Sequence, residues 1–247
     1  MDQTFNWLLE ASRIAAALQE RILASEDVAD FLAELARHAA DTLSGAGSEV
    51  YCSVTLLRDK NRISSAGSGE QSLYMDETQY KCGGGPCLYA AQTHVLIDVP
   101  EVDKEPRWRS YLDLVRDTGV KAILGVPFNL EGNATGALNL YATRAHAFDN
   151  SAPLIALYAE QASLSLRLAL RMGELAEMKE HLAAAMESRT AIDIAIGILM
   201  AENRCDQEQA FSILRRASSN RNAKIRDLAA EIAGSVAGKP VQTYFKP

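Results

Sequence analysis

The sequence predicts an α+β protein in three parts. An antiparallel sheet flanked by helices comes first, then a long connecting helix with a coiled-coil seam, then a C-terminal three-helix bundle. Three observations carry this reading. EVYCSVTLL alternates apolar and polar residues, and KAILGVPFNL and ATGALNLYAT read as two further strands joined by the turn EGN. Pro153 to Glu202 contains no internal proline and only two glycines, Gly173 and Gly197. The last sixty residues hold three short segments with apolar residues at helical spacing.

In order along the chain, residues 4–23 and 27–43 repeat apolar residues every three to four positions and are expected to be helices. Ser25 or Glu26 is expected to cap the second, and GAGS at 45–48 to close it. EVYCSVTLL is the first strand, RDKN the turn and RISSAGSG a second, more polar strand. GGGPCLYAAQTH begins with a glycine turn and places Pro86 at a helix start, the order helix starts prefer. VLIDV is the third strand, and EPRWRSYLDLVRDTGV is helical up to Gly119. The expected divisions are an N-terminal helix over 1–24, a sensor-sized α+β module over 25–150, a connecting coiled-coil helix over 151–187 and the bundle over 188–247.

Within the long helix, Leu164, Leu168, Leu175, Met178, Leu182, Ala185, Ile192, Ile196 and Leu199 follow steps of four and three, interrupted by Arg171 and Arg189. Fifty helical residues extend about 75 Å. A parallel dimer stem fits this pattern, since acidic residues fill the other faces; the competing arrangement is a helix lying on its own domain. Ala195, Ile196 and Leu199 cluster around Ile192 on a helical wheel, and Ala191, Ile194 and Ile198 form a second strip, so both sides are expected to be covered. Ala195 and Gly197 are small enough for close backbone approach. Asp206 caps the next helix with Gln209 at the reciprocal position, and that helix is expected to bury Ala210, Phe211, Ile213, Leu214 and Ala217, with Phe211 the largest side chain of the core. Ile225, Leu228, Ala229 and Ile232 give the third helix its apolar face.

The chain has 247 residues, 48% hydrophobic and 23% charged, an ordinary globular composition without a membrane-spanning run or a signal peptide, so the cytoplasm is expected. Cys52, Cys82, Cys87 and Cys205 are too few and scattered for a secreted disulfide scaffold. No local run has zinc-ligand spacing. Cys82 and Cys87 flank a glycine run at a helix start, whose unpaired amides would lower a thiol pKa or hold an anion, which makes the pair a candidate redox or anion site. His94 reads as a strand-edge residue, His38 as structural or solvated, and Trp108 and Tyr111 as packed on the sheet. Glycines 83–85 lack the context of a nucleotide fingerprint, and no G-x-S-x-G elbow occurs. The acids in YMDET and VPEVDKE have no distinctive spacing and read as surface groups, so catalysis is not expected.

Net charge is −7, which taken alone opposes nucleic-acid binding. Its distribution reverses that argument. Residues 1–169 carry 14 basic and 22 acidic side chains, whereas residues 188–247 carry nine basic and six acidic. Arg215, Arg216, Arg221, Lys224 and Arg226 concentrate outside the expected core, with Ser219 and Asn222 available for base or sugar hydrogen bonds. A solvated surface is the plain alternative. Helix-turn-helix DNA binding is another, weakened because KIRDLAAEIAG carries two acids and few base-reading groups.

The stretch SRTAIDIAIGILMAENRCDQEQAFSILRRASSNRNAKIRDLAA resembles the three-helix RNA-binding antiterminator domain called ANTAR. The resemblance rests on Ser188, Arg189, Ile192, Asp193, Ala195, Gly197, Ile198, Leu199 and Met200, then Ala210, Phe211, Leu214, Arg215 and Ser218, then Asn222, Lys224, Arg226, Asp227, Leu228 and Ala229. Ala223 stands where the family often has a basic residue. GGGPC at 83–87, RWRSY at 107–111, VPF at 126–128 and GALNLYATRAHAF at 136–148 are similar to GAF sensor domains, which often carry an acid at the position of Gly84 and proline at that of Arg109. The resemblance implies a signal-responsive transcription antitermination regulator that binds stem-loop RNA in nascent transcripts as a homodimer. A GAF cavity can hold a small-molecule ligand, although many such domains bind none that is known; no cofactor is assigned, and no membrane partner is expected from the composition. A DNA-binding one-component regulator and a non-catalytic dimerising module are the alternatives.

Overall fold

A computed structural model describes residues 2–44, 49–58 and 62–237. The expected closing segment GAGS, most of the turn RDKN and the end of the chain lie outside the described residues. The chain divides into two compact units, residues 1–173 and 174–247.

The first unit is built on a five-stranded antiparallel sheet in the order β2-β1-β5-β4-β3. Its strands are β1 (Val50–Arg58), β2 (Arg62–Gly67), β3 (Ile97–Val99), β4 (Ala122–Pro127) and β5 (Thr135–Ala142). Alternation decides what each strand sends to either side. In β1 and β5, Val54, Leu56, Leu138 and Leu140 enter one core together with Leu32 and Leu35 of helix α2 (Val28–Leu43), Ile14 and Leu18 of α1 (Asp2–Ala24), and Tyr158 and Leu166 of α6 (Ala152–Asn203). The other face meets α3 (Glu70–Lys81), α4 (Pro86–Thr93) and α5 (Arg109–Val115), where Met75, Cys87, Tyr111, Ile123 and Tyr141 form a second core. Both faces are therefore covered, and β4 is buried along nearly its whole length. Gly125 on β4 lets α4 approach closely, since a Cβ there would sit 2.9 Å from the Ala90 methyl and 3.2 Å from Pro86 O.

Some sequence expectations are adjusted, while those for His38, Trp108 and Tyr111 stand. The N-cap of α2 is Asp27, whose carboxylate accepts from the Asp30 amide at 2.9 Å, in place of Ser25 or Glu26. Helix α3 carries no readable apolar stripe, because Ser72, Asp76, Thr78 and Gln79 are among its buried residues. Asp76 in YMDET is thus an interior group rather than a surface acid. His94 is the left-handed C-cap of α4, with φ 58°. His38 shares a 2.8 Å hydrogen bond with Tyr158 Oη. Trp108 and Tyr111 pack into the core beside the sheet.

The second unit contains the end of α6, then α7 (Gln207–Arg221) and α8 (Ile225–Ala237). Its core is small: Ala191, Ala195, Leu214, Leu228 and Ala229, with Ile192, Leu199, Ala217, Ile225 and Ile232 around them. Phe211 does not belong to it. That side chain is 40% exposed, which corrects its expected place as the largest core residue. Helix α7 meets the core through Ala210, Leu214 and Ser218, and Phe211 stands off that arc. Ile194 is also 40% exposed, while Ala191 joins the core instead of an outer strip.

Candidate nucleic-acid interface and sensor interior

Helix α7 starts as its sequence dictates. The Asp206 carboxylate accepts from the Gln209 amide at 2.8 Å and the Gln209 side chain accepts from the Asp206 amide at 3.4 Å. It ends at Asn222, in the left-handed conformation with φ 49°, a position asparagine tolerates better than most residues. Buried Ser218 ties the turn: its hydroxyl donates to Ala223 O at 2.6 Å and its carbonyl accepts from the Ala223 amide at 3.1 Å. The Lys224 carbonyl then accepts from the Asp227 and Leu228 amides, opening α8. The turn holding Asn222 and Lys224 is thereby fixed by backbone bonds at both ends.

Arg215, Arg216, Ser219, Arg221, Asn222, Lys224 and Arg226 are all exposed, yet they do not form one patch. Arg221 pairs with Glu231 of α8 at 3.2 Å, and Arg226 with neighbouring Asp227 at 3.3 Å. Among the described residues no ion pair involves Arg215, Arg216 or Lys224. At about 100° per residue, Arg215, Ser219 and Asn222 share one flank of α7, whereas Arg216 projects from the side away from Leu214. The opposite flank of α7 borders a groove of about 210 Å³ lined by Leu199, Ile213, Ala217 and Ile232, with Arg221 and Glu231 beside it. That volume is below the usual range of about 300–1,000 Å³ for small-molecule sites.

The interior of the first unit holds a polar cluster that sequence reasoning missed. Asp76 is fully buried. Its Oδ1 accepts from Tyr141 Oη at 2.6 Å, Ser53 Oγ at 2.8 Å and Asn139 Nδ2 at 3.1 Å, and its Oδ2 from Ser65 Oγ at 2.8 Å. Burial raises its pKa despite these donors. The β1/β5 register places Ser53 opposite Asn139. Gln79 joins the cluster by donating to Tyr141 Oη at 3.1 Å. Tyr111 Oη and Asn139 Oδ1 are buried without a hydrogen-bond partner among the described residues. The signal was available in the alternation of β1, which sends Ser53 and Thr55 to the face opposite Val54 and Leu56.

Cys82 and Cys87 occupy different surroundings. Cys82 is half-buried, its thiol 3.7 Å from Ser110 O, while Cys87 is fully buried. Burial, with Asp76 nearby, pushes the Cys87 thiol up to about 12, opposite to the depression expected of a helix start. The amides offered to an anion there are engaged: the Cys87 and Leu88 N–H groups donate to Gln79 Oε1 at 2.9 and 3.3 Å. Among the described residues no group of three His, Cys, Asp or Glu side chains is placed to hold a metal ion, and no helix is long and apolar enough to cross a membrane.

Residues 25–167 match the GAF domain, and residues 180–232 match the ANTAR domain. No curated protein matches the chain. Among solved structures, the chain is similar to the N-acylhomoserine lactone dependent LuxR family transcriptional factor CepR2 from Burkholderia cenocepacia, at 15% identity and a TM-score of 0.48, over 64% of this chain and 98% of that one. It is similar to the GAF domain of a phosphoenolpyruvate-protein phosphotransferase from Acinetobacter, at 16% identity and a TM-score of 0.46, over 66% and 97%. It is also similar to free methionine-R-sulfoxide reductase from Neisseria meningitidis, at 16% identity and a TM-score of 0.47, over 71% and 95%.

Proposed function

From the premise that this chain belongs to the GAF domain family over residues 25–167 and carries an ANTAR domain over residues 180–232, we propose that it binds stem-loop RNA in nascent transcripts as a homodimer. The combination of the two domains supports a signal-responsive role in transcription antitermination, with no catalytic step. The observation that supports the RNA reading is the set of exposed cations without ion pairs among the described residues, Arg215, Arg216 and Lys224, around a backbone-fixed turn that presents Asn222. Cations already engaged by carboxylates contribute less to phosphate binding, because their partners must be displaced.

Dimerisation is supported by the apolar side chains that α6 leaves uncovered. Leu164, Leu168 and Met172 in the first unit, and Leu175, Met178 and Leu182 in the second, are each about half exposed. Beyond Ile192 the expected seam turns into the three-helix core, since Ile192 and Leu199 pack there. Signal input is proposed for the first unit, where Tyr111 Oη and Asn139 Oδ1 are unpartnered polar groups that a small polar ligand would satisfy. A coupling of about 1–3 kcal/mol between such a ligand and RNA corresponds to a 5- to 150-fold change in affinity.

The test is retention of RNA hairpins by the full chain from a pool with one fixed stem and a randomised loop, against a duplex DNA pool at the same salt. Enrichment of hairpins by a species that sediments as a dimer supports the reading; equal retention of duplex DNA, or none of either, overturns it.

A further inference from the structure

The largest side chain of α7 points away from the core. Phe211 is 40% exposed, and the small core closes without it. A single exposed ring is ordinary on a protein surface, so what would cover this one must be read from its surroundings. Its neighbours indicate what that is. Counting about 100° per residue, Phe211, Asn222, Arg215 and Ser219 fall within about 80° of one another, so the ring shares its flank with three groups suited to a nucleotide. Arg215 is one turn away, about 6 Å along the axis, exposed and without an ion pair among the described residues. Asn222 is held in its left-handed cap and Lys224 follows it. The groove beside Arg221 and Glu231 lies on the other flank and offers no cover for the ring.

We propose that Phe211 is a stacking platform for one unpaired base of an RNA loop, with Arg215 contacting the adjoining phosphate. The assignment rests on the RNA reading above and adds the residue that selects a single-stranded loop over a duplex. Base pairs in a duplex bury their faces against each other, and only an unstacked base can offer its face to an aromatic ring. The chemistry favours nucleic acid over a protein surface here because the exposed ring shares its flank with Arg215, which has no ion pair among the described residues, a combination that matches a polyanion with flat apolar faces.

The experiment uses the full chain and the hairpin it enriches from the randomised-loop pool, remade with an abasic nucleotide at each loop position in turn. F211A is expected to weaken binding about 5- to 150-fold, the range of one lost stack, with the salt dependence unchanged. F211W is expected to bind as the wild type does. One abasic position should weaken wild-type binding and leave F211A unaffected further. Four results would overturn the proposal while leaving RNA binding intact: F211A within twofold of wild type, a loss independent of the abasic position, a changed salt slope, or dissociation of an F211A dimer, which assigns the ring to protein contact. A wild-type chain that retains no hairpin overturns the RNA reading itself. Because Phe211 lies outside the core, an unchanged melting curve for F211A serves as the folding control.

Discussion

Tyr141 Oη donates a 2.6 Å hydrogen bond to Asp76 Oδ1 inside the first unit, joining the middle strand of the sheet to the helix that covers it. Removing the donor leaves a buried acceptor short of one partner, which costs about 1–3 kcal/mol. Y141F is therefore expected to lower unfolding free energy by about that amount near neutral pH. It also removes the strongest of the donors that oppose the burial-driven rise of the Asp76 pKa, so the rise should increase. Denaturant unfolding of the first unit, with the Asp76 carboxyl followed by NMR, measures both effects; a stability unchanged in Y141F would show the bond to be energetically idle.

Asp76 gives the interior a pH dependence of definite sign. Burial raises its folded pKa above the unfolded value of about 3.9, so the folded state holds the proton longer. The contribution to stability is complete below the unfolded pKa and is lost as pH rises through the folded one. D76N removes this titration with little change in shape. The stability difference between wild type and D76N should therefore fall as pH rises from about 4. A difference that grows with pH would mean that the four donors outweigh burial.

Those two residues also mark where the sequence was legible. Strands β1, β4 and β5 and the long helix can be read because their apolar residues repeat at the period of the structure they form. Helix α3 cannot, since its buried positions include Ser72, Asp76 and Gln79, which carry no apolar signal. The cap at Asp206 is readable because capping depends on neighbouring residues alone, and the structure has both of its bonds. Phe211 misleads for a different reason. Size and apolarity favour burial, but the buried face of α7 runs through Ala210, Leu214 and Ser218, and Phe211 falls outside it. Among the basic residues, sequence gives the cluster, while the partners Glu231 and Asp227 emerge only from the fold.

The unpaired cations should set the salt dependence of RNA binding. Each phosphate contact on a single strand adds about 0.7 to the slope of log affinity against log salt. Replacing Arg215, Arg216 and Lys224 together by glutamine should flatten that slope by about 2. R226Q, which loses a cation already paired with Asp227, should change it less. Filter binding across a salt series decides, and equal slopes for the triple variant and the wild type would remove these side chains as phosphate contacts.

Cys82 and Cys87 should separate under alkylation. With its thiol near 12, Cys87 is about one part in ten thousand thiolate at pH 8, and it is fully buried. Iodoacetamide on the native chain should label half-buried Cys82 first and reach Cys87 only after unfolding. Mass mapping of the modified peptides checks this; equal labelling would revive the pair as a joint redox site.

Glutamate at Leu175, Met178 and Leu182 should convert the proposed dimer to monomer at micromolar concentration. These side chains are 54%, 65% and 52% exposed, so in a single chain charge at these positions costs little. In a dimer seam the same carboxylates would lose solvent and face their copies. Sedimentation reports the mass and thermal melting the fold. A variant that still sediments as a dimer would move the contact away from α6.

Gly197 sits inside α6, is exposed, and a Cβ built there meets nothing within 4 Å. The close packing expected of it within the bundle is absent, and glycine in a helix interior costs about 0.5–1 kcal/mol relative to alanine. G197A should accordingly raise the stability of the second unit by about that amount. The described residues supply no packing reason for glycine, so the same variant tests whether the proposed RNA or second copy approaches closely at this position. The expected result is a higher melting temperature together with weaker association. Sedimentation and hairpin binding on the same variant show which of the two contacts is lost, and a variant that is more stable with both intact would leave Gly197 without a role in either.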